Sequence, residues 1–130
     1  MGILKKMGLL AGPTTKQAGD AAEDRALAHL QAQGLRMLER NYRTPGRGGG
    51  EIDLVMREPD GTVVFVEVRQ RATAAFGGAA ASISATKQKR IVFAARSYLM
   101  RLNTPPPCRF DVVLIEYAGI QWLRAAFDAG

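Results

Sequence analysis

The sequence predicts an α/β domain, a mixed β-sheet flanked by α-helices. Two observations carry that prediction. Segments of helical and strand periodicity follow one another in the order α-β-β-β-α-β-β. The length also suits one such domain: 130 residues, 47 % of them apolar, can bury a core without covalent staples.

Residues 1–16 carry Gly2, Gly8, Gly12 and Pro13 without a clear period and read as a flexible N-terminal arm; residues 17–130 read as one domain. The first helical pattern runs from about Thr15 to Gln33, with Ala22, Ala26, Leu27 and Leu30 on one face and Gly34 as its stop. Asp20 and Glu23 have the spacing of a capping box. A helix that already starts at Thr15 leaves Glu23 mid-helix and available for another role, and both readings stand at this point. Leu35–Tyr42 reads as a strand, followed by a glycine-rich loop from Thr44 to Gly50.

Glu51–Arg57 and Thr62–Gln70 are the clearest strands, the second dense in β-branched residues. Between them, Glu58-Pro59-Asp60-Gly61 places proline where a type I turn accepts it and glycine where the chain turns left-handed, which predicts a bulged hairpin. Ala72–Ala81 is small and Gly-rich and reads as a loop. Ser84 is a plausible N-cap for a helix to about Leu102, whose apolar face holds Ile91, Ala94, Ala95, Tyr98, Leu99 and Leu102. Arg109–Glu116 is a further apolar strand, and Ile120–Phe127 is expected at a sheet edge.

Composition narrows the function. Eighteen Lys and Arg against 12 Asp and Glu give a net charge of +6, which favours polyanion partners, nucleic acid foremost. A single cysteine, Cys108, excludes an intramolecular disulfide or a Cys-based zinc cage, and reads as packing rather than as a nucleophile. A single histidine, His29, excludes HExxH and multi-His centres and is expected on a helix surface. No stretch approaches the ~18 apolar residues of a membrane helix. The apolar run Met7–Ala11 is too short for a secretory signal. No membrane association and a cytoplasmic location are therefore expected. The glycines of Gly46–Gly50 precede a strand rather than a helix, so the dinucleotide and P-loop readings fail.

The hairpin carries the chemistry. Alternation puts Glu51, Asp53 and Val55 on one face of the first strand and Ile52, Leu54 and Met56 on the other. If Glu58 opposes Thr62 across the turn, Asp53 faces Glu67 and Glu51 faces Arg69. Directly opposed Cβ atoms lie roughly 4.5–5.5 Å apart. Two carboxylates so close repel unless a positive charge sits between them. A divalent cation with oxygen ligands, such as Mg²⁺, supplies it. With Arg69 beside it, such a site suits phosphodiester hydrolysis. The competing reading is a solvent-facing ladder, with Glu51 paired to Arg69 and Asp53 alone. Lys87 and Arg90 share a helix face, and with Arg43 and Arg47 they can flank a phosphate backbone.

These residues also resemble a known family. GGEIDLV (Gly49–Val55), VFVEVRQR (Val64–Arg71), FGGA (Phe76–Ala79), Lys87-Gln88 and RFDVV (Arg109–Val113) look like the bacterial YraN family, as do AEDRALAHL, Gly34 and Asn41-Tyr42-Arg43 upstream. The resemblance spans about Gly19–Glu116. That family is similar to the PD-(D/E)XK nuclease superfamily, the restriction-endonuclease-like fold that includes archaeal Holliday-junction resolvases. The resemblance implies a Mg²⁺-dependent phosphodiesterase site, Mn²⁺ substituting, acting on DNA, branched or damaged DNA included. It matches Asp53 to the first acid of the motif, Glu67 to the second, Glu23 to an assisting acid of the first helix, and the Val68 carbonyl to a backbone metal ligand. Two positions depart from the pattern. Ile52 stands for the proline, and Arg69 stands for the lysine. Arginine stays charged, so it can orient groups and stabilise charge but not deprotonate water. The alternatives are a nucleic-acid-binding module with little or no catalysis, and a protein-interaction adaptor using the last strand or the N-terminal arm. Oligomeric state, a homodimer included, is left open.

Overall fold

The computed structural model describes residues 14–46, 48–71 and 83–130. Most of the expected arm, Arg47, the FGGA segment and the loop expected at Ala72–Ala81 lie outside the described residues. The elements follow the expected order: α1 (Thr15–Ala32), β1 (Arg36–Arg43), β2 (Glu51–Arg57), β3 (Val63–Arg71), α2 (Ala85–Leu99), β4 (Cys108–Glu116) and β5 (Gly119–Phe127).

α1 starts on a capping box formed by Thr14 and Gln17. The Gln17 N–H donates to Thr14 Oγ1 at 3.1 Å, and the Thr14 N–H donates to Gln17 Oε1 at 2.8 Å. Asp20 and Glu23 are therefore not the cap, and Glu23 sits mid-helix. Gly34, at φ +98°, turns the chain out of α1. Ser84 caps α2 by accepting the Lys87 N–H at 3.1 Å. α2 ends at Leu99, short of the expected Leu102, and the chain continues in tight i→i+3 turns from Tyr98 and Leu99.

The five strands form one sheet in the order β1-β2-β3-β4-β5. All neighbours are antiparallel except β3 and β4, which run parallel and are joined across α2. The sheet is thus mixed, with a helix on each face. Ala22, Ala26 and Leu30 of α1 pack on Leu54, Met56, Val64 and Val66. Ile91, Ala94, Ala95 and Tyr98 of α2 pack on Ile52, Val55, Phe65 and Phe110. Covered on both faces, β3 reads as a near-continuous apolar run, and the charge of Glu67 interrupts it.

The β2–β3 turn forms as expected. The Glu58 N–H donates to Thr62 O and the Gly61 N–H to Glu58 O, both at 2.9 Å, with Gly61 at φ +96°. The register is also the expected one, pairing Leu54 with Val66 and Met56 with Val64. At the other edge a buried carboxylate organises the sheet. Asp111, fully buried in β4, accepts from Arg109 Nε at 3.0 Å, Trp122 Nε1 at 2.9 Å and the Ala125 N–H at 2.9 Å. These bonds sit where the β4–β5 register shifts and Ala125 takes φ +50°. Two small expectations are corrected. Cys108 is exposed at the start of β4 rather than packed, and His29 is half-buried, its ring edge-on to Trp122 at 6.3 Å.

Candidate metal centre

The site forms where β2 parts from β3. The β2–β3 ladder ends at Leu54 and Val66, and Asp53 turns its carboxylate to the β3 backbone, where Oδ2 accepts the Val68 N–H at 2.8 Å. On the other side of β2, pairing with β1 skips from Arg40–Leu54 to Tyr42–Ile52, leaving Asn41 at φ +54° between them. Asparagine tolerates that left-handed conformation better than most residues. The distortion breaks strict alternation. Ile52 and Val55, three residues apart, both join the α2-side core, so Ile52 does not share a face with Leu54 and Met56 as expected.

Glu67 keeps the alternation of β3, faces α2 and is only 4 % exposed. Two cations meet its Oε2, each at 3.6 Å: Arg69 Nη1 from the same strand and Lys87 Nζ from the first turn of α2. The Asp53 carboxyl lies beside that of Glu67. Burial, the charge of Glu67 and a shared hydrogen bond with it push Asp53 up to about 7, against the opposing pull of the Val68 N–H and Lys87. The expected meeting of Asp53 and Glu67 is present. The expected Glu51–Arg69 pair is not: Glu51 opposes Arg43 across β1–β2 and is ion-paired to it at 2.5 Å. The solvent-facing ladder fails for the same reason.

Glu23 approaches from α1. Its carboxylate takes Arg40 Nε at 3.2 Å, and the Asn41 amide, oriented to donate, lies 3.3 Å from both carboxylate oxygens. Burial and then the charge of Asp53 raise its pKa, while Arg40 and Asn41 oppose the rise. Glu23 thus borders the site without joining it. Among the described residues, no group of three or more His, Cys, Asp and Glu side chains converges on a metal position.

A Mg²⁺ ion needs only one or two carboxylates, with water and phosphate oxygens completing its shell. Asp53 and Glu67 meet that requirement. The Val68 N–H reaches Asp53, and the carbonyl of the same residue is the kind of oxygen donor such an ion would take as a third ligand. The donor set therefore suits a hard cation. Sequence reasoning assigned Lys87 to the nucleic-acid surface and missed its contact with Glu67, because α2 is tied to β3 only through tertiary packing. Asn41 and Arg40 were missed as partners of Glu23. An asparagine within a strand pattern was the available signal for the kink.

The raised pKa of Asp53 predicts a measurable cost. Below its unfolded value near 4 the carboxyl is protonated in both states. As pH rises, the unfolded state ionises first and stability is lost until the folded group ionises near 7. Asp53→Asn keeps an acceptor for Val68 and abolishes this titration. In metal-free buffer the variant is expected to melt with the wild type near pH 4 and above it past pH 7, as followed by circular dichroism.

A mixed sheet between two helices, with paired acids on the central hairpin, defines a restriction-endonuclease-like α/β domain. Residues 22–115 match the model of the uncharacterised protein family UPF0102. A UPF0102 protein of Albidiferax ferrireducens is 77 % identical over 116 residues, covering 89 % of this chain and 91 % of the relative. One from Paracidovorax citrulli is 67 % identical and covered end to end, as is this chain, and one from an Acidovorax species is 65 % identical with 99 % of each chain covered. The chain belongs to the UPF0102 family, the YraN family its motifs resemble. None of its helices among the described residues is long and apolar enough to cross a membrane.

Proposed function

We propose that the chain is a divalent-metal-dependent nuclease that hydrolyses phosphodiester bonds in DNA. One observation carries the reading: Asp53 and Glu67 are brought together in a largely buried setting, with Arg69 and Lys87 beside Glu67. Asp53, Glu67 and the Val68 carbonyl would hold Mg²⁺, with Mn²⁺ able to replace it. Held there, such an ion would supply a more acidic bound water and offset charge on the phosphate. Arg69, permanently charged, steadies the phosphate under attack. Glu23 assists indirectly, by adding negative charge beside Asp53. Arg43, Arg47, Lys87 and Arg90 line up the nucleic-acid backbone, consistent with the chain's net charge of +6.

A second reading keeps the fold as a DNA-binding module without cleavage. It is favoured by Arg69, which stands at the strand position where the motif has a lysine. The two part on a panel of duplex, single-stranded, flapped and four-way-junction DNA incubated with Mg²⁺, Mn²⁺ or chelator. The nuclease cuts at least one substrate in either metal and none in chelator. A module that binds every substrate with steep salt dependence and leaves all intact overturns the nuclease reading.

A further inference from the structure

Next to the acidic pair lies an open cavity of about 440 Å³, lined by the glycine loop after β1 together with Arg43, Glu51, Lys87 and Arg90. Its wall is built rather than incidental. The Thr44 N–H donates to Gly50 O at 3.1 Å, closing the loop on itself, and Gly46 and Gly48 take φ +84° and +70° within it. Gly50 rests on α2 so closely that a Cβ there would lie 1.9 Å from the Arg90 carbonyl oxygen. Among the described residues, three cationic side chains thus surround a cavity walled by glycine backbone, and Glu51 offsets one of them, Arg43. Lys87 belongs to both places: it lines the cavity and its Nζ stands 3.6 Å from Glu67.

We propose that this cavity is a phosphate pocket for nucleic acid, holding the phosphate next to the one that meets Asp53 and Glu67, with Lys87 between the two. The pocket stands on its own residues, and the neighbouring position rests on the nuclease reading. Glycine lets a phosphate approach the loop backbone closely, and guanidinium groups bind phosphate oxygens in pairs.

The test uses metal-free protein in chelator, so cleavage plays no part. Inorganic phosphate and a short single-stranded oligodeoxynucleotide are titrated calorimetrically. Arg90→Ala and Arg43→Ala are each expected to weaken oligonucleotide binding about tenfold and to lower its salt slope by about 0.7. Lys89→Ala removes the same charge from α2 but faces a different cavity, and is expected to change binding little. Asp53→Asn combined with Glu67→Gln is expected to bind at least as tightly as the wild type, since two anions are gone. Equal losses from Lys89→Ala and Arg90→Ala, or indifference to both arginines, overturn the pocket. Tighter binding of inorganic phosphate than of the oligonucleotide overturns its assignment to nucleic acid. A chain that binds through Arg90 yet cuts no DNA with Mg²⁺ refutes the nuclease reading and the neighbouring position but leaves the pocket standing.

Discussion

Glu67→Gln is expected to lower Mg²⁺-dependent DNA cleavage by about 10³-fold while the protein stays folded. The amide has nearly the volume of the carboxyl, so the buried position on β3 stays filled. The lost charge is what matters. A bound divalent ion contributes several kcal/mol of charge stabilisation in the transition state, and each ~1.4 kcal/mol is tenfold in rate. With Glu67 neutral, Asp53 is the sole anionic donor, while Lys87 and Arg69 remain to repel the cation. Asp53→Asn is expected to lose a similar factor. The double variant is expected to lose little more than either alone, because under the proposed function both residues act through one ion. Cleavage rates at saturating substrate, with circular dichroism for the fold, check this. A Glu67→Gln rate within about threefold of the wild type would contradict the assignment.

The largest expected effect on stability lies far from that centre. Asp111→Ala is expected to cost about 3–5 kcal/mol, the range for removing one partner of a buried ion pair. Three donors lose their acceptor together: Arg109 Nε, Trp122 Nε1 and the Ala125 N–H. Arg109 also reaches across to Glu58 of the β2–β3 turn, so the loss loosens the edge strand β5 and the hairpin that carries Asp53. For a domain of this length the melting temperature falls by roughly 10–20 °C. Asp111→Asn retains an acceptor oxygen and is expected to fall between the two. An alanine variant melting within about 2 °C of the wild type would show that the network adds no net stability.

The fold was largely legible because its signals are local. Helix caps, the Pro59–Gly61 turn and two-residue alternation are all short-range, and they returned the element order and the hairpin register to within a residue at most ends. The turn fixed which residues oppose each other, and so brought Asp53 to Glu67. What escaped was set by packing between distant segments. The one local hint of the kink is Asn41 itself, an asparagine in a strand pattern, and it does not say that Ile52 joins Val55 on the α2 side. Glu51 was assigned to Arg69 because the hairpin ladder was extended past Leu54, whereas β1 claims it through Arg43. Lys87 lies twenty positions beyond Glu67 in sequence, and only the seating of α2 on the sheet makes them neighbours. Asp111, a lone acid in the apolar run Arg109–Ile115, was the one local sign of a buried network and went unread.

The most direct measurement is Mn²⁺ binding to the chain alone, followed by electron paramagnetic resonance above pH 7, where Asp53 is ionised. One Mn²⁺ per chain is expected, competed by Mg²⁺, weakening as pH falls and lost on Asp53→Asn or Glu67→Gln. Undiminished binding in the double variant would place the ion elsewhere, and no binding to the wild type would contradict a preformed cation centre at these two carboxylates.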